Sequence, residues 1–312
     1  MLQIAGIEQH GFIAHPDIAP NLNQVVSMMG RGIIFADIIT TVSPSYAQEI
    51  QTPEFGEGLD PLLRDRRERL FGILNGIDAQ AWNPATDDAL IANFDPSDLS
   101  GKARCKEALQ QEMGLTPDPD AALIGLTSRI TDQKGFDILM AVLEPALRTL
   151  PAQFVIMGTG EQRYQHQLAD LQQRYPQRLA FHPSYDETLA RRIYGGSDIF
   201  LMPSRFEPGG LDQLKAMRYG AIPVVHATGG LKDTVIDHHP PEIGTGFRFE
   251  PYDCMALYAA LVRAIEIFHH PDIWRAMQRN AMARDDSVDA AARAYRQMYR
   301  RALSLKLTGR PA

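Results

Sequence analysis

Cysteine is scarce in this chain, and so is any excess of positive charge. Cys105 and Cys254 are the two cysteines in 312 residues, far apart and outside any CxxC or Cys/His grouping. That spacing gives neither a disulfide framework nor a zinc site and fits a reducing cytoplasm. No stretch approaches the ~18 apolar residues of a membrane-crossing helix. The opening MLQIAGIEQHGFIAHP lacks the basic start and apolar run of a secretory signal, so the chain reads as soluble, unexported and without a membrane partner. Thirty-one Lys and Arg against 38 Asp and Glu leave a net charge of -7. Such a balance provides no basic field for a nucleic acid, and any anionic ligand must be held by a few local cations. Internal repeats and low-complexity segments are also missing.

What is present is a chain with 45% hydrophobic residues, long enough for one large or two ordinary domains with a sizeable core. The first 72 or so residues read as a loop rich in Pro and Asn, a helix, a strand at Ile38 to Val42, and helical turns through DPLLRDRRERL. An apolar run, FGIL, then meets the turn signal Asn75-Gly76, and a polar helical stretch is expected up to Leu115. TPDPD, Thr116 to Asp120, breaks the chain as a linker into a new domain.

Beyond it short apolar runs alternate with amphipathic stretches. AALIGL, FVIMG, LAFH, DIFLMP, AIPVVHA and GFRFE read as strands. Helices are expected at about Gly135 to Leu150, Gln162 to Tyr175, near Leu189 and after Gly210. This is the signature of βαβ units, an α/β fold with a parallel sheet covered on both faces. Helical periodicity returns at Met255 to Ile267, with Leu257, Leu261 and Ile265 on one face, and from about Ala290 to Leu303.

In open parallel sheets the chemistry sits beyond the carboxyl ends of the strands. After the first strand, SRITDQKG sends Arg129 and Lys134 off one loop, where they either clamp one phosphate group or stand as solvated cations beside Asp132. FVIMGTGE places Gly158 and Gly160 at a plain tight turn. SRFEPGGLDQLKAMRYG is the sharpest signal. Glu207 emerges at a strand end, and Gly209 and Gly210 open a helix whose free N–H groups can hold an anion. PVVHATGGLKDTV puts Gly229 and Gly230 at a second helix start, and two such openings at one crevice suggest a diphosphate. Asp118-Pro119-Asp120 has a DxD spacing, but it sits between prolines ahead of a strand and reads as linker, so no metal is inferred. The adjacent pairs His238-His239 and His269-His270 read as solvated surface, because consecutive histidines do not face one another.

SRITDQKGFD, PSRFEPGGLDQLKAMRYG and PVVHATGGLKDTV, with ADIITTVSPSYAQEIQTPEFGEGLDPLLRDR and LFGILNGIDAQAWNPATD, together resemble the bacterial glycogen synthase and starch synthase family. The resemblance runs from about Gly32 to Tyr299. It implies the GT-B fold of two Rossmann-like domains, here a complete carboxy-terminal domain with its parallel sheet and the last part of an incomplete amino-terminal one. The implied boundaries are 1–72 for the acceptor-side remnant, 73–288 for the nucleotide-sugar-binding domain, and 289–312 for a helix packing back toward the amino-terminal domain. It also implies transfer of glucose from ADP-glucose to the nonreducing end of an α-1,4-glucan, with retention and without a metal or other cofactor.

Position by position, Arg129 and Lys134 match the cations on the donor diphosphate, and Glu207 the carboxylate at the transferred glucose. Gly210 and Leu211 match the backbone at the distal phosphate, Tyr185 an aromatic side chain against the adenine, and Asn75 a residue lining the glucose pocket. Departures are equally specific. The family's KxGGL loop, and an Asp and a His of its first domain, do not occur before Gly32, so a truncated amino-terminal domain is expected. Gly209 stands where Cys is usual, Val288 where Trp is common, and Asp212 where Thr or Asn is usual, a carboxylate expected to repel the donor. Lys215 occupies the place of a second Glu in many other retaining enzymes of this fold. A nucleotide-sugar-binding chain without catalysis, and a transferase using UDP-glucose, remain open as alternatives.

Overall fold

The computed structural model describes residues 28–240 and 242–308; the Pro- and Asn-rich opening lies outside them. The chain divides into two compact units, Met1–Leu74 with Ala291–Ala312, and Asn75–Ala290.

In the first unit, α1 (Met28–Phe35), β1 (Ile39–Thr41), α2 (Pro44–Glu49), α3 (Asp60–Asp65) and β2 (Leu70–Gly72) follow one another. β1 and β2 pair in parallel with Ile39 opposite Leu70. α2 starts where it does because Ser43 accepts a hydrogen bond from the Tyr46 amide at 3.1 Å and Pro44 occupies the first turn, a favourable cap and a favourable first residue. Ile33, Ala47, Leu62, Leu63 and Leu70 form the local core. From the closing helix α12 (Val288–Thr308), Arg301 lays its guanidinium 4.3 Å from the Phe71 ring.

The second unit carries six parallel strands, β3 (Ala122–Thr127), β4 (Ala152–Met157), β5 (Leu179–His182), β6 (Ile199–Met202), β7 (Ile222–His226) and β8 (Phe247–Phe249), in the order β5-β4-β3-β6-β7-β8. Its helices are α4 (Ser100–Glu112), α5 (Phe136–Thr149), α6 (Gln162–Arg174), α7 (Glu187–Gly196), α8 (Asp212–Arg218), α9 (Gly229–Thr234), α10 (Cys254–Phe268) and α11 (Pro271–Met282). Strand side chains alternate between two cores. Ile124, Phe154, Ile156, Ile199 and Leu201 belong to one; Leu123, Val155, Met157, Phe200 and Met202 belong to the other. Burial on both faces explains why these strands read as unbroken apolar runs.

Two lysines of α4 stitch that helix to the sheet. Lys106 pairs with Asp198 at 2.8 Å and donates to the carbonyls of Pro119 and Ala121 at 2.9 and 2.7 Å. The same Asp198 oxygen accepts from the Leu123 amide at 2.9 Å, so one carboxylate joins α4, β3 and β6. Lys102 donates to Tyr194, Gly195 and Tyr219 at 3.4, 3.0 and 2.8 Å, carbonyls at the ends of α7 and α8. Burial pushes the Lys102 ammonium down to about 8 from its ordinary 10.5.

Three expectations are corrected. The polar stretch from Asn75 to Leu115 is helical only over Ser100–Glu112. Upstream, Asp78, Asn83, Asp87 and Asp95 turn their side chains back onto nearby amides, which offers the backbone an alternative to helix. α11 has no counterpart in the expected elements, although Pro271 opens it and Trp274, Met277, Gln278 and Ala281 form its buried face. His238 and His239 do face each other, ring centroids 3.8 Å apart, and His238 is buried against Phe247 at 4.8 Å with Asp237 on its Nδ1 at 3.0 Å. They sit in an irregular loop, where the alternation of regular structure does not apply. His269 and His270 are exposed, as expected.

Two stability measurements follow. Asp198→Ala should cost about 3 kcal/mol in urea unfolding, because it strands the buried Lys106 ammonium, and Lys106→Met added to it should cost much less than its effect alone. Lys102 binds its proton less tightly in the fold than in the unfolded chain, so its contribution to stability rises with pH between about 8 and 10.5. The stability of the native chain relative to Lys102→Met should therefore rise by up to roughly 3 kcal/mol across that window.

Candidate functional site

The strand order turns between β3 and β6, its neighbours on either side being reached in opposite directions. At such a switch point the two departing loops diverge and leave a crevice beyond the carboxyl ends. Here the loops are 128–135 after β3 and 203–211 after β6, and they are latched to each other. The Arg205 amide donates to the Gln133 carbonyl at 2.9 Å, and Gln133 Nε2 to the Phe206 carbonyl at 3.5 Å. Lys134 Nζ lies 2.5 Å from Glu207 Oε2, which also accepts from Ser204 Oγ at 3.1 Å. Glu207 is 8% exposed, so the pair is largely out of water. The tight turn at Gly158 and Gly160 runs beside this loop, with the Ile130 amide donating to the Thr159 carbonyl at 2.9 Å.

Arg129 leaves the same loop but remains exposed, donating to Gln133 Oε1 at 3.0 Å. The two expected cations thus share an element but not a partner, Lys134 being shared with Glu207 and Arg129 standing at the rim.

Gly229 and Gly230 are required by the neighbouring loop. Gly229 has φ +44, and a Cβ there would fall 2.2 Å from the Glu207 carbonyl oxygen. That carbonyl accepts from the Gly230 amide at 2.9 Å. A Cβ on Gly230 would meet the Gly209 Cα at 2.9 Å, and one on Gly210 the Glu207 Cγ at 3.0 Å. Gly210, Gly229 and Gly230, with Gly209 as the contacted neighbour, therefore let two loops interlock around Glu207. They open helices of seven and six residues, α8 and α9. Asn75 reaches the same loop, its Nδ2 donating to the Gly209 carbonyl at 3.4 Å, and Leu211 is 38% exposed.

Tyr185 stands in the loop between β5 and α7, 64% exposed. Partial burial and then the charges of Glu187 and Asp212 push its phenol above the ordinary value. Asp212 is itself engaged: its Oδ1 accepts from Tyr194 Oη at 2.9 Å and from Lys215 Nζ at 3.2 Å. Asp118, the first residue of the DxD string, accepts from the amides of Asp120 and Ala121 at 2.9 and 3.1 Å, but the expected linker into a new domain is corrected: TPDPD is a turn between α4 and β3 inside the second unit.

Residues not foreseen complete the scaffold. His226, buried at the end of β7, has Nδ1 2.8 Å from the Ser204 carbonyl and Nε2 3.0 Å from the Glu250 carbonyl. It stands among Phe249 and Tyr252 with centroids 5.4 and 5.2 Å away. Its place at the end of an apolar run, two residues before a Thr-Gly-Gly, was the available signal. Tyr194 gave none, since its partner is fixed only by tertiary packing, whereas the spacing of Lys215 three residues after Asp212 on one helix was a local sign of that pair.

Comparison with known proteins finds relatives along most of the chain. Residues 121–266 match the family described as Glycosyl transferases group 1, and residues 2–65 match the Starch synthase catalytic domain. A glycogen synthase of Anaeromyxobacter dehalogenans is 49% identical over 275 residues, 88% of this chain and 58% of that protein. One of Kosmotoga olearia is 48% identical over 283 residues, 90% and 59%. The catalytic domain of starch synthase IV from Arabidopsis thaliana, solved with ADP and acarbose, superposes with a TM-score of 0.82 at 37% identity, covering 88% of this chain and 58% of that one. The chain thus spans somewhat under two thirds of the length of the relatives it matches. Over the part of their length that it spans, the chain is similar to the glycogen and starch synthases, and its six-stranded parallel sheet has the α/β architecture of GT-B glycosyltransferases.

Proposed function

We propose that this chain carries the donor half of a glucosyltransferase, which takes ADP-glucose and passes its glucose, with retention and without a metal, to the nonreducing end of an α-1,4-glucan in the cytoplasm. The observation that carries the proposal is the buried Glu207 carboxylate, held by Lys134 and Ser204 at the switch point, with Arg129 and the Gly210–Leu211 backbone at the same strand ends. The names of the curated relatives and the ADP and acarbose bound to starch synthase IV support the choice of donor and acceptor.

The chemistry follows from charge. As the glycosidic bond breaks, the departing ADP gains negative charge and the sugar gains oxocarbenium-like character. Arg129 and Lys134 stabilise the first; Lys134 has three donors and can serve a phosphate oxygen while keeping Glu207. Glu207 favours the second and orients the sugar hydroxyls, with no covalent role assigned to it. Such preorganised groups act more strongly on the transition state than on the ground state. The base is left to Tyr185, 64% exposed, and stacking on a phenol ring tolerates either ADP or UDP.

Calorimetric titration of the chain with ADP and with UDP tests the proposal. Micromolar ADP binding, weakened about a hundredfold or more by Arg129→Ala with Lys134→Ala, is expected from two lost charge-assisted hydrogen bonds. A folded chain that binds neither nucleotide would refute it, and preference for UDP would move the donor to UDP-glucose. Gly229→Ala should weaken ADP binding and lower stability by about 1–3 kcal/mol, through a strained backbone and displacement of the Glu207 carbonyl; melting and titration of that variant read both.

A further inference from the structure

Asp212 follows the Gly209–Leu211 turn directly, and a bare carboxylate there opposes a phosphate ligand. The structure supplies a counter-cation. Lys215 Nζ lies 3.2 Å from Asp212 Oδ1, and the two side chains are 16% and 33% exposed. The same ammonium sits 4.4 Å from the Trp82 ring centroid and 6.0 Å from that of Tyr194. Trp82 has a second cation against it, Arg191 at 4.1 Å, and Arg191 is tied to Asp87 at 3.1 Å. Lys215 is thus held from its aromatic side and directed at Asp212, while Tyr194 Oη holds the same carboxylate oxygen at 2.9 Å. A cation over a ring face in a partly dry setting is favourable in its own right, so the ammonium is fixed before any ligand arrives.

We propose that Lys215 is a positioning residue that neutralises Asp212, so that the Gly209–Leu211 turn can accept a nucleoside diphosphate despite the carboxylate that follows it. This rests on the nucleotide-sugar site proposed above. It makes Asp212 and Lys215 a unit: a chain with one and without the other carries an uncompensated charge at the donor site.

The test is ADP titration of the full chain and its variants, with melting curves taken without nucleotide. Lys215→Met should weaken ADP binding about ten- to hundredfold, the effect of one unscreened like charge a few ångströms from the ligand. Asp212→Asn should bind at least as tightly as the native chain, Lys215→Arg should stay near native, and Asp212→Asn in the Lys215→Met background should return binding to within about threefold of native. A purely structural role of Lys215 under Trp82 lowers the melting temperature without that rescue. If Lys215→Met does not fold, Lys215→Gln carries the same comparison.

Unchanged ADP binding in Lys215→Met overturns the proposal, and so does a double variant as weak as Lys215→Met, which would make Lys215 a direct ligand. If the native chain binds neither ADP nor UDP, the nucleotide site itself falls and this unit's role with it. If it binds and no rescue appears, only the role of Lys215 falls.

Discussion

The contact between Lys134 and Glu207 is the one on which the rest of this site depends. A parallel sheet whose strand order turns between β3 and β6 leaves two loops diverging from adjacent strand ends, and divergence alone gives a gap, not a site. The lysine of one loop and the carboxylate of the other, 2.5 Å apart, convert that gap into a defined wall. Ser204, Gln133 and His226 then have a common task, fixing the backbone of 203–207 so that Glu207 arrives buried with its charge matched. Removing either member would leave a buried charge without a partner, a far larger penalty than losing a surface pair.

The opposite ends of the same two strands repeat the arrangement. Asp198 stands just before β6, accepts from Leu123 near the start of β3, and pairs with Lys106. β3 and β6 are therefore pinned at their amino ends by an aspartate and a lysine, and their loops are joined at the carboxyl ends by a glutamate and a lysine. The register Ile124 to Ile199 lies close to the first pin. Buried ion pairs add little net stability when compared with apolar packing. Their value here is geometric, since a carboxylate that accepts from a specific amide and a specific lysine tolerates no slip of one strand along the other.

The parts legible in the sequence are those set by local chemistry. Apolar runs alternating with amphipathic segments gave the parallel sheet, and Pro-Gly-Gly and Thr-Gly-Gly after such runs located the strand ends. The glycines themselves were read as openings for a ligand, whereas Gly229 and Gly230 are needed first for the approach of the Glu207 and Gly209 backbone. Long-range pairing was illegible. Nothing in the spacing of Lys134 and Glu207, 73 residues apart, announces a contact, and the bond from Tyr194 to Asp212 appears only once α7 and α8 are packed; Asp212 was read as repulsive although Lys215, three residues on in the same helix, was a local sign of its partner. The loop before α4 misled for a different reason: its polar composition suits an exposed helix, but its aspartates and asparagine bond to nearby amides and draw the backbone into turns.

A chain with a net charge of -7 that is to hold a nucleoside diphosphate, as proposed, must solve two problems at once. Free lysines at the strand ends would attract phosphate strongly, but flexible ammonium groups in water lose most of that advantage to reorganisation. Pairing Lys134 with Glu207 fixes that ammonium in advance and lowers the cost of burying it. It also weakens ground-state attraction, because the cation is already partly neutralised. For the proposed glucosyl transfer that loss would be tolerable. Negative charge on a departing diphosphate grows as the bond breaks, so an ammonium already in position would gain most of its interaction at the transition state, where it would accelerate the reaction and not merely tighten binding.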